Sequence, residues 1–183
     1  NAATKWESRE VDVSVTFGKT SNPVYQGIRD QVIDLMEKFK SKWTGKFVVK
    51  IASNLSKSDY MNLLANSKIS INVVAINGPY NYRSCEIVNS GALLFQTNVI
   101  SEELGFCLDD VLEDETDFIF FDSSNLEEKL LYFLDHTEKS KQISESAQNR
   151  LKSEFSYEKM LISLLSKVKS QTISSSSNEN NLT

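Results

Sequence analysis

The stretch NGPYNYRSCEIVNSGALLF, residues 77–95, places Arg83 and Glu86 three positions apart between a Gly-Pro loop and an apolar run. Arg83 stands at the start of a short helical segment that ends at Gly91. A guanidinium in the first turn of a helix can hold a phosphate through two hydrogen bonds, and the helix amides and dipole add to the attraction. The alternative is an ordinary surface pair between Arg83 and Glu86, which would contribute only about 0.2–0.5 kcal/mol.

The composition limits the classes of protein that fit. The chain has 183 residues, a formal net charge of −5, 25% charged residues and 40% hydrophobic residues, which is typical of one globular domain. An acidic chain argues against a nucleic-acid partner, because such binding needs basic residues against the phosphates. No apolar run approaches the ~20 residues that span a bilayer, and the first residues contain no apolar signal segment and no initiator Met. Cys85 and Cys107 lack the spacing of metal ligands, so we expect a cytoplasmic chain with two reduced thiols.

Short apolar runs alternate with segments of helical spacing, which predicts an α/β domain with a parallel sheet and right-handed crossovers. The predicted strands cover residues 11–15, 46–52, 68–76, 92–95 and 117–122. The predicted helices cover residues 24–43, 59–67, 82–90, 125–136, 140–154 and 157–168. We expect a single Rossmann-like domain over residues 1–169, with a sheet of about five or six strands flanked by helices. Residues 170–183 are rich in Ser and Asn and are predicted to be a disordered tail.

Capping residues indicate where several helices begin. Asn22 followed by Pro23 predicts the start of the first long helix, since Asn caps free amides and Pro needs no donor there. Ser58 is predicted to cap the second helix, and Ser124 is predicted to open the amphipathic helix of the second half.

Two loops are predicted to meet at one edge of the sheet. In parallel α/β sheets, ligands bind beyond the carboxyl ends of the strands, where the strand order reverses. Residues 17–22 follow the first strand and residues 77–82 follow the third; both loops contain Gly and both lead into a helix. This arrangement suits a phosphate-bearing ligand. A Gly loop before a helix is equally common as plain turn chemistry, so this feature alone leaves both interpretations open.

Four segments in this order resemble the nucleotide-sugar-binding half of GT-B glycosyltransferases. They are SKISINV at 67–73, RSCEIVNSGALLF at 83–95, DFIFFDSSNLEEKLLYFL at 117–134 and RLKSEFSYEKML at 150–161. The chain is most similar to the glycosyltransferase family 1-like group that includes spore-maturation-type proteins. The resemblance extends over roughly residues 10–168.

The resemblance implies a hexosyltransferase-like enzyme of two domains. Its N-terminal domain takes the acceptor, and its C-terminal domain holds a nucleoside diphosphate sugar. This chain matches only the second domain, so we expect a fragment that lacks the acceptor domain and is inactive by itself. The alternative is a non-catalytic nucleotide- or partner-binding module on the same fold, because fold alone does not decide function. The nucleotide base stays open between uridine and guanosine.

The resemblance also assigns roles to residues. It implies that Glu86, five positions before Gly91, accepts hydrogen bonds from the ribose hydroxyls, for which two carboxylate oxygens are suited. Arg83 is the catalytic candidate, since a cation at the leaving diphosphate would stabilise the charge that develops there. Ser53 and Asn54 follow the second strand, at the place where family members hold the base.

The two loops complete the predicted site. Gly18 would let the backbone approach the diphosphate, and Lys19 or Thr20 could add contacts. Arg29, two turns into the following helix, could point toward the cleft, but we expect it on a solvated helix face. Many retaining relatives carry an acid eight residues before the ribose glutamate, where this chain has Gly. The second loop is therefore expected to bind through backbone amides, with contacts from Gly78, Tyr80, Asn81 and Tyr82. No Asp-x-Asp follows a strand, so we expect no metal and no cofactor besides the donor.

Overall fold

The architecture was analysed in a computed structural model of the full chain. The structure describes residues 5–18, 21–73, 81–97 and 111–154. The chain divides into two compact units, Asn1–Gln148 and Asn149–Thr183. The sheet and the described helices belong to the first unit, apart from the end of the final described helix, residues 149–154. The predicted helix over 157–168 and the predicted tail lie outside the described residues.

Five parallel strands form the sheet of the described residues, in the order β2-β1-β3-β4-β5. They are β1 (Val11–Thr16), β2 (Val49–Ala52), β3 (Ser67–Asn72), β4 (Leu93–Thr97) and β5 (Ile119–Phe121). In the register, Val13 of β1 lies between Val49 on one side and Ile69 on the other. The central strands are buried almost throughout, as expected for a parallel sheet that is covered on both faces. The predicted α/β fold is confirmed.

The strand order reverses direction at β1. The chain moves from β1 to β2 at one edge and then crosses back to β3 on the other side of β1. The carboxyl ends of β1 and β3 therefore form a switch point, where the loops to the two following helices diverge and leave a crevice. This topology fixes the place where a ligand could bind.

Five α-helices lie in the described residues, after a short 3-10 turn at Trp6–Ser8. They are α1 (Pro23–Lys42), α2 (Lys57–Ala65), α3 (Tyr82–Ser90), α4 (Leu126–Asp135) and α5 (Thr137–Glu154). The start of α1 agrees with its prediction, because the Asn22 side chain accepts hydrogen bonds from the amides of Val24 and Tyr25. None of the described helices combines the length and the apolar composition needed to cross a membrane.

The predicted start of α2 was wrong by two residues. Ser56, not Ser58, is the cap, and its hydroxyl accepts from the amide of Asp59 at 3.1 Å. The Ser56 hydroxyl also contacts the Asp59 carboxylate at 2.7 Å. A hydroxyl that accepts from an amide of the first turn caps a helix, and Ser56 has that contact with Asp59.

The observed starts of α4, α5 and β2 also differ from the predicted ones, because of contacts and turns formed by neighbouring residues. Ser124 does not cap α4, because Asp122 accepts from its amide in a turn before the helix. Helix α5 begins at Thr137, and Ser140 lies inside it with its hydroxyl bonded to the Phe133 carbonyl. Strand β2 begins three residues later than predicted, after the turn in which Gly45 has a φ of 82°.

A buried arginine closes the end of the sheet opposite the switch point. Arg9 is 5% exposed and donates to the carbonyl of Ser67 at 2.6 Å and to that of Ser90 at 2.8 Å. Gly91 ends α3 with a φ of 76°, a left-handed conformation that Gly adopts without steric cost. A Cβ at Gly91 would also lie 2.7 Å from the Arg9 Nη2 atom. Position 91 thus requires glycine for two independent reasons.

We expect Gly91→Ala to lower the free energy of unfolding by about 1–3 kcal/mol, because a side chain is strained at this φ and collides with Arg9. Gly27→Ala is the matched control. Gly27 lies in the exposed part of α1 with open space around it, so alanine should raise the free energy of unfolding by about 0.4–1 kcal/mol. Urea denaturation measures both. Equal effects of the two substitutions would contradict the assignment.

Candidate functional site

A cavity of about 400 Å³ lies at the switch point of the sheet. Its walls are formed by the residues that follow β1 and β2 and by the first turns of α3. The cavity brings together seven of the predicted site residues: Gly18, Ser53, Asn54, Asn81, Tyr82, Arg83 and Glu86. Lys19, Thr20, Gly78 and Tyr80 lie outside the described residues. The roles assigned to all of these residues stay predictions.

The exit of β1 forms one wall. Phe17 is buried, and the Arg83 guanidinium lies over its ring at 5.9 Å from the ring centroid. Gly18 is exposed, and its carbonyl accepts a hydrogen bond from Arg29 Nη1 at 2.5 Å. The β1 loop and the first turn of α3 therefore face each other across the carboxyl edge of the sheet.

Arg29 was predicted on a solvated face, and that prediction was wrong, because Arg29 lines the cavity. Side chains of a helix point back toward its N-terminus, so Arg29 of α1 reaches over the helix start to Gly18. Burial lowers the pKa of Arg29, and the positive charge of Arg83 lowers it further. The Nε atom of Arg29 is buried and has no hydrogen-bond partner among the described residues.

A buried amide network places the N-terminus of α3. Asn81 donates to the Val73 carbonyl at 3.2 Å and accepts from the Ser84 amide, also at 3.2 Å. Asn72, fully buried at the end of β3, donates to Asn81 Oδ1 at 3.0 Å and to Gln96 Oε1 at 2.8 Å. These contacts join the ends of β3 and β4 to the first turn of α3 and so orient the side chains that follow.

Glu86 is bound from α2 rather than from its own helix. Its carboxylate forms an ion pair with Lys57 and accepts a hydrogen bond from the Tyr60 hydroxyl at 2.9 Å. Within the described parts of the chain, no ion pair joins Glu86 to Arg83. The ordinary surface pair that their spacing allowed therefore does not form. The spacing along the chain could not indicate Lys57 or Tyr60, which lie 29 and 26 residues away.

The charges around Glu86 keep it ionised. Burial opposes the charged form, but hydrogen bonds from Lys57 and Tyr60 and the charges of Lys57 and Arg83 together outweigh it, so the pKa of Glu86 lies below its ordinary value. Burial, reinforced by the hydrogen bond to Glu86, raises the pKa of Tyr60. Tyr60 therefore stays a neutral donor, and its hydroxyl fixes one carboxylate oxygen.

The segment after β2 forms another wall of the cavity and contains a residue with a left-handed backbone conformation. Asn54 has a φ of 55° and lines the cavity with Ser53 and Leu55. Asn tolerates this conformation better than most residues. The segment contributes short polar side chains to the cavity, which Glu86 and Tyr60 also line.

The sequence matches a family model described as glycosyl transferase-like over residues 24–166, most of the chain. The chain belongs to this glycosyl transferase-like family. The search of curated protein sequences gave no match. Comparison with solved structures found TarM, with a TM-score of 0.60 and 12% identity over 87% of this chain. A TarM variant from S. aureus, crystallised with fondaparinux, alpha-GlcNAc-glycerol and UDP, gives a TM-score of 0.64 at 12% identity over 91% of this chain.

Two further solved structures show the same fold. The C-terminal domain of the glycosyl transferase LpcC from Francisella tularensis has a TM-score of 0.56 and 11% identity, and the match covers 86% of this chain and 94% of that domain. Sucrose-phosphate synthase from Thermosynechococcus elongatus has a TM-score of 0.56 and 10% identity over 91% of this chain.

The match spans only part of the longer neighbours. It covers 35% of TarM, 37% of the TarM variant and 47% of sucrose-phosphate synthase. The predicted GT-B, Rossmann-like fold of a glycosyltransferase is confirmed. The assignment to the spore-maturation-type subgroup stays a prediction.

We expect the stabilising effect of Glu86 to depend on pH. Since its pKa is lower in the folded protein than in the unfolded chain, it stabilises the fold above the unfolded pKa of about 4.3. That contribution is lost as the pH falls through the lower folded pKa. Glu86→Gln should lower the free energy of unfolding near neutral pH by up to about 1 kcal/mol, and the difference from wild type should shrink in acid.

Urea denaturation from about pH 7 to about pH 3 measures this difference. Glu37→Gln, on an exposed part of α1, is the matched control and should differ little from wild type throughout. A deficit of Glu86→Gln that stays constant with pH would show that the ion pair with Lys57 does not stabilise the fold.

Proposed function

We propose that this chain is the donor-binding domain of a glycosyltransferase, and that its cavity holds the nucleoside diphosphate of a nucleotide sugar. The observation that carries the proposal is the meeting of Arg83, Glu86 and the Gly18 loop in one cavity at the switch point. Family membership and the GT-B fold support it, and so does the UDP named in the complex of the TarM variant.

The diphosphate would lie between the Gly18 loop and the N-terminus of α3. The free amides and the dipole of the first turn favour an anion there. Arg83 stands in that turn over Phe17 and can bind a phosphate through two hydrogen bonds. None of the ion pairs among the described residues involves Arg83, so its charge is not neutralised by a carboxylate there.

The ribose would be held by Glu86. Tyr60 orients the carboxylate, and Lys57, whose side chain is 71% exposed, can leave it at little cost. The Glu86 side chain is 29% exposed, so part of it remains open to a ligand. The base would then lie along Ser53, Asn54 and Leu55 at the exit of β2, where backbone groups can accept or donate.

Arg83 would also carry the chemistry. When the sugar leaves, negative charge grows on the diphosphate, and a cation held in a partly buried site stabilises that charge more than it does in water. The two arginines of the cavity supply this charge, so the reaction would need no metal. The acceptor would bind on a second domain, and residues 1–183 alone would bind donor without transferring sugar.

The proposal is tested by calorimetric titration of the chain with UDP and GDP, each with and without excess chelator. We expect one nucleotide to bind more tightly than the other, and we expect chelator to leave the affinity unchanged because the arginines carry the charge. Binding that disappears with chelator would mean that a metal bridges the diphosphate. Absence of binding to either nucleotide would contradict the proposed function.

Glu86→Gln should weaken binding of the preferred nucleoside diphosphate by about 1–3 kcal/mol, the scale of a hydrogen bond to a charged group. The same titration measures it, with Glu37→Gln as a control that should bind like wild type. The loss of the Lys57 ion pair gives Glu86→Gln a small stability deficit, so both variants are compared well below their unfolding temperature. An unchanged affinity would assign Glu86 to the packing of α2 against α3 alone.

A further inference from the structure

A basic segment spans the end of α1 and the start of β2. Residues 38–50 contain five lysines and no acidic residue, although the chain as a whole has a net charge of −5. All five are exposed: Lys38, Lys40, Lys42, Lys46 and Lys50. Two of them stand in the last turn of α1, where a positive charge complements the helix dipole. The dipole does not account for the other three, or for the aromatic residues among them.

Two aromatic rings lie between these lysines. Trp43 and Phe47 are both partly exposed, and their ring centroids are 6.2 Å apart. The Lys46 ammonium lies 5.2 Å from the Trp43 centroid and 4.9 Å from that of Phe47. The Lys42 ammonium lies 5.7 Å from the Trp43 centroid. These four residues therefore form one surface of rings and ammonium groups, which we call the Trp43 patch.

Two carboxylates of α4 contact the Trp43 patch. Glu127 forms an ion pair with Lys42 at 2.7 Å and accepts a hydrogen bond from Trp43 Nε1 at 3.1 Å. Asp135 lies 3.8 Å from the Lys46 ammonium. The ion pairs of the described residues involve only these two of the five lysines. Both pairs are exposed and therefore weak, so the lysines can turn to another anion while Glu127 holds the indole in place.

The Trp43 patch and the candidate site lie at opposite ends of α1. The helix begins after the β1 loop, which lines the cavity, and it ends at the patch, before β2. Its 20 residues correspond to a length of roughly 30 Å. A large partner can therefore contact the patch while the cavity stays open.

We infer that the Trp43 patch attaches this domain to the surface of a membrane that contains anionic phospholipids. The negative potential of such a surface attracts lysines, and each one adds about fivefold to the affinity. Indole rings lie at the level of the headgroups, because they combine an apolar body with a polar N–H. Lysine stems can follow the rings while the ammonium stays in water.

The type of cation favours a membrane over a nucleic acid or an acidic protein motif. All the basic residues of the segment are lysines, which are compact charges without the rigid fork with which arginine recognises one phosphate or one carboxylate. They suit a broad surface of diffuse charge. The inference does not rest on the proposed function, since no residue of the cavity takes part.

The two tryptophans of the chain provide the first test. Trp43 is partly exposed in the patch, whereas Trp6 is 9% exposed. The full chain should sediment with vesicles of equimolar phosphatidylcholine and phosphatidylserine, but not with phosphatidylcholine alone. It should be released at about 1 M salt, where charges are screened within about 3 Å. Brominated lipids in saturating mixed vesicles should quench the fluorescence of wild type but not that of Trp43→Phe, which keeps only Trp6.

The second test removes charge from the patch. Lys42→Gln/Lys46→Gln should bind the mixed vesicles about tenfold or more weakly than wild type. Lys5→Gln/Lys141→Gln is the matched control, because it removes the same charge outside residues 38–50 and because Lys141, like Lys42, belongs to an ion pair. This control should bind the vesicles like wild type. Urea denaturation shows whether each variant is folded.

The outcomes separate the inference from the proposed function. Absence of wild-type binding to the mixed vesicles, or an equal loss in both double variants, overturns the inference, whereas the UDP titration without vesicles is unaffected. Tighter binding to polyadenylate than to the vesicles would assign the patch to a nucleic acid, and quenching that persists in Trp43→Phe would contradict the contact of Trp43 with lipid. If Lys42→Gln/Lys46→Gln is unfolded, Lys46→Gln alone decides: it should weaken vesicle binding severalfold, and an unchanged affinity overturns the inference.

Discussion

Asn81 joins the end of β3 to the first turn of α3, and the rest of the cavity depends on that junction. Its amide donates to the Val73 carbonyl and its oxygen accepts from Ser84, so the direction in which α3 leaves the sheet is fixed. Arg83 then faces the β1 loop, and Glu86 faces α2. A hydrogen-bonded cap is worth about 1 kcal/mol, yet here it also decides which side chains meet at the switch point.

The cavity combines a carboxylate that has an ion-pair partner with two arginines that have none among the described residues. Glu86 has both a hydrogen bond and an ion pair, and these lie on its α2 side. Arg29 and Arg83 belong to no ion pair in the part of the chain that the structure describes, and burial, followed by the charge of Arg83, lowers the pKa of Arg29. Perturbed pKa values are typical of functional sites.

The helices and strands could be predicted from local sequence patterns. The arrangement of the cavity depends instead on contacts between residues that are distant in the sequence. The Asn22 cap, the apolar strands and the Gly91 end could be predicted, because each depends on residues a few positions apart. The partners of Glu86 lie on another helix, and no spacing rule connects them to it. Arg29 could have been found: it follows Ile28 at the border of the apolar face of α1, and its side chain must point toward the helix start. The two contacts between Ser56 and Asp59 distinguish Ser56 from Ser58 as the cap of α2.

The place of β1 in the sheet has a practical consequence for the boundaries of expressed fragments. The family match begins at residue 24, but β1 (Val11–Thr16) lies before it and links the edge strand β2 to β3. A fragment cut at the start of the match would lose β1, the strand that pairs with both β2 and β3, and the Phe17–Gly18 wall of the cavity. Arg9, which ties the opposite end of β3 to α3, would be lost as well. The boundaries of fragments of this chain therefore need to follow the strand order rather than the extent of sequence similarity.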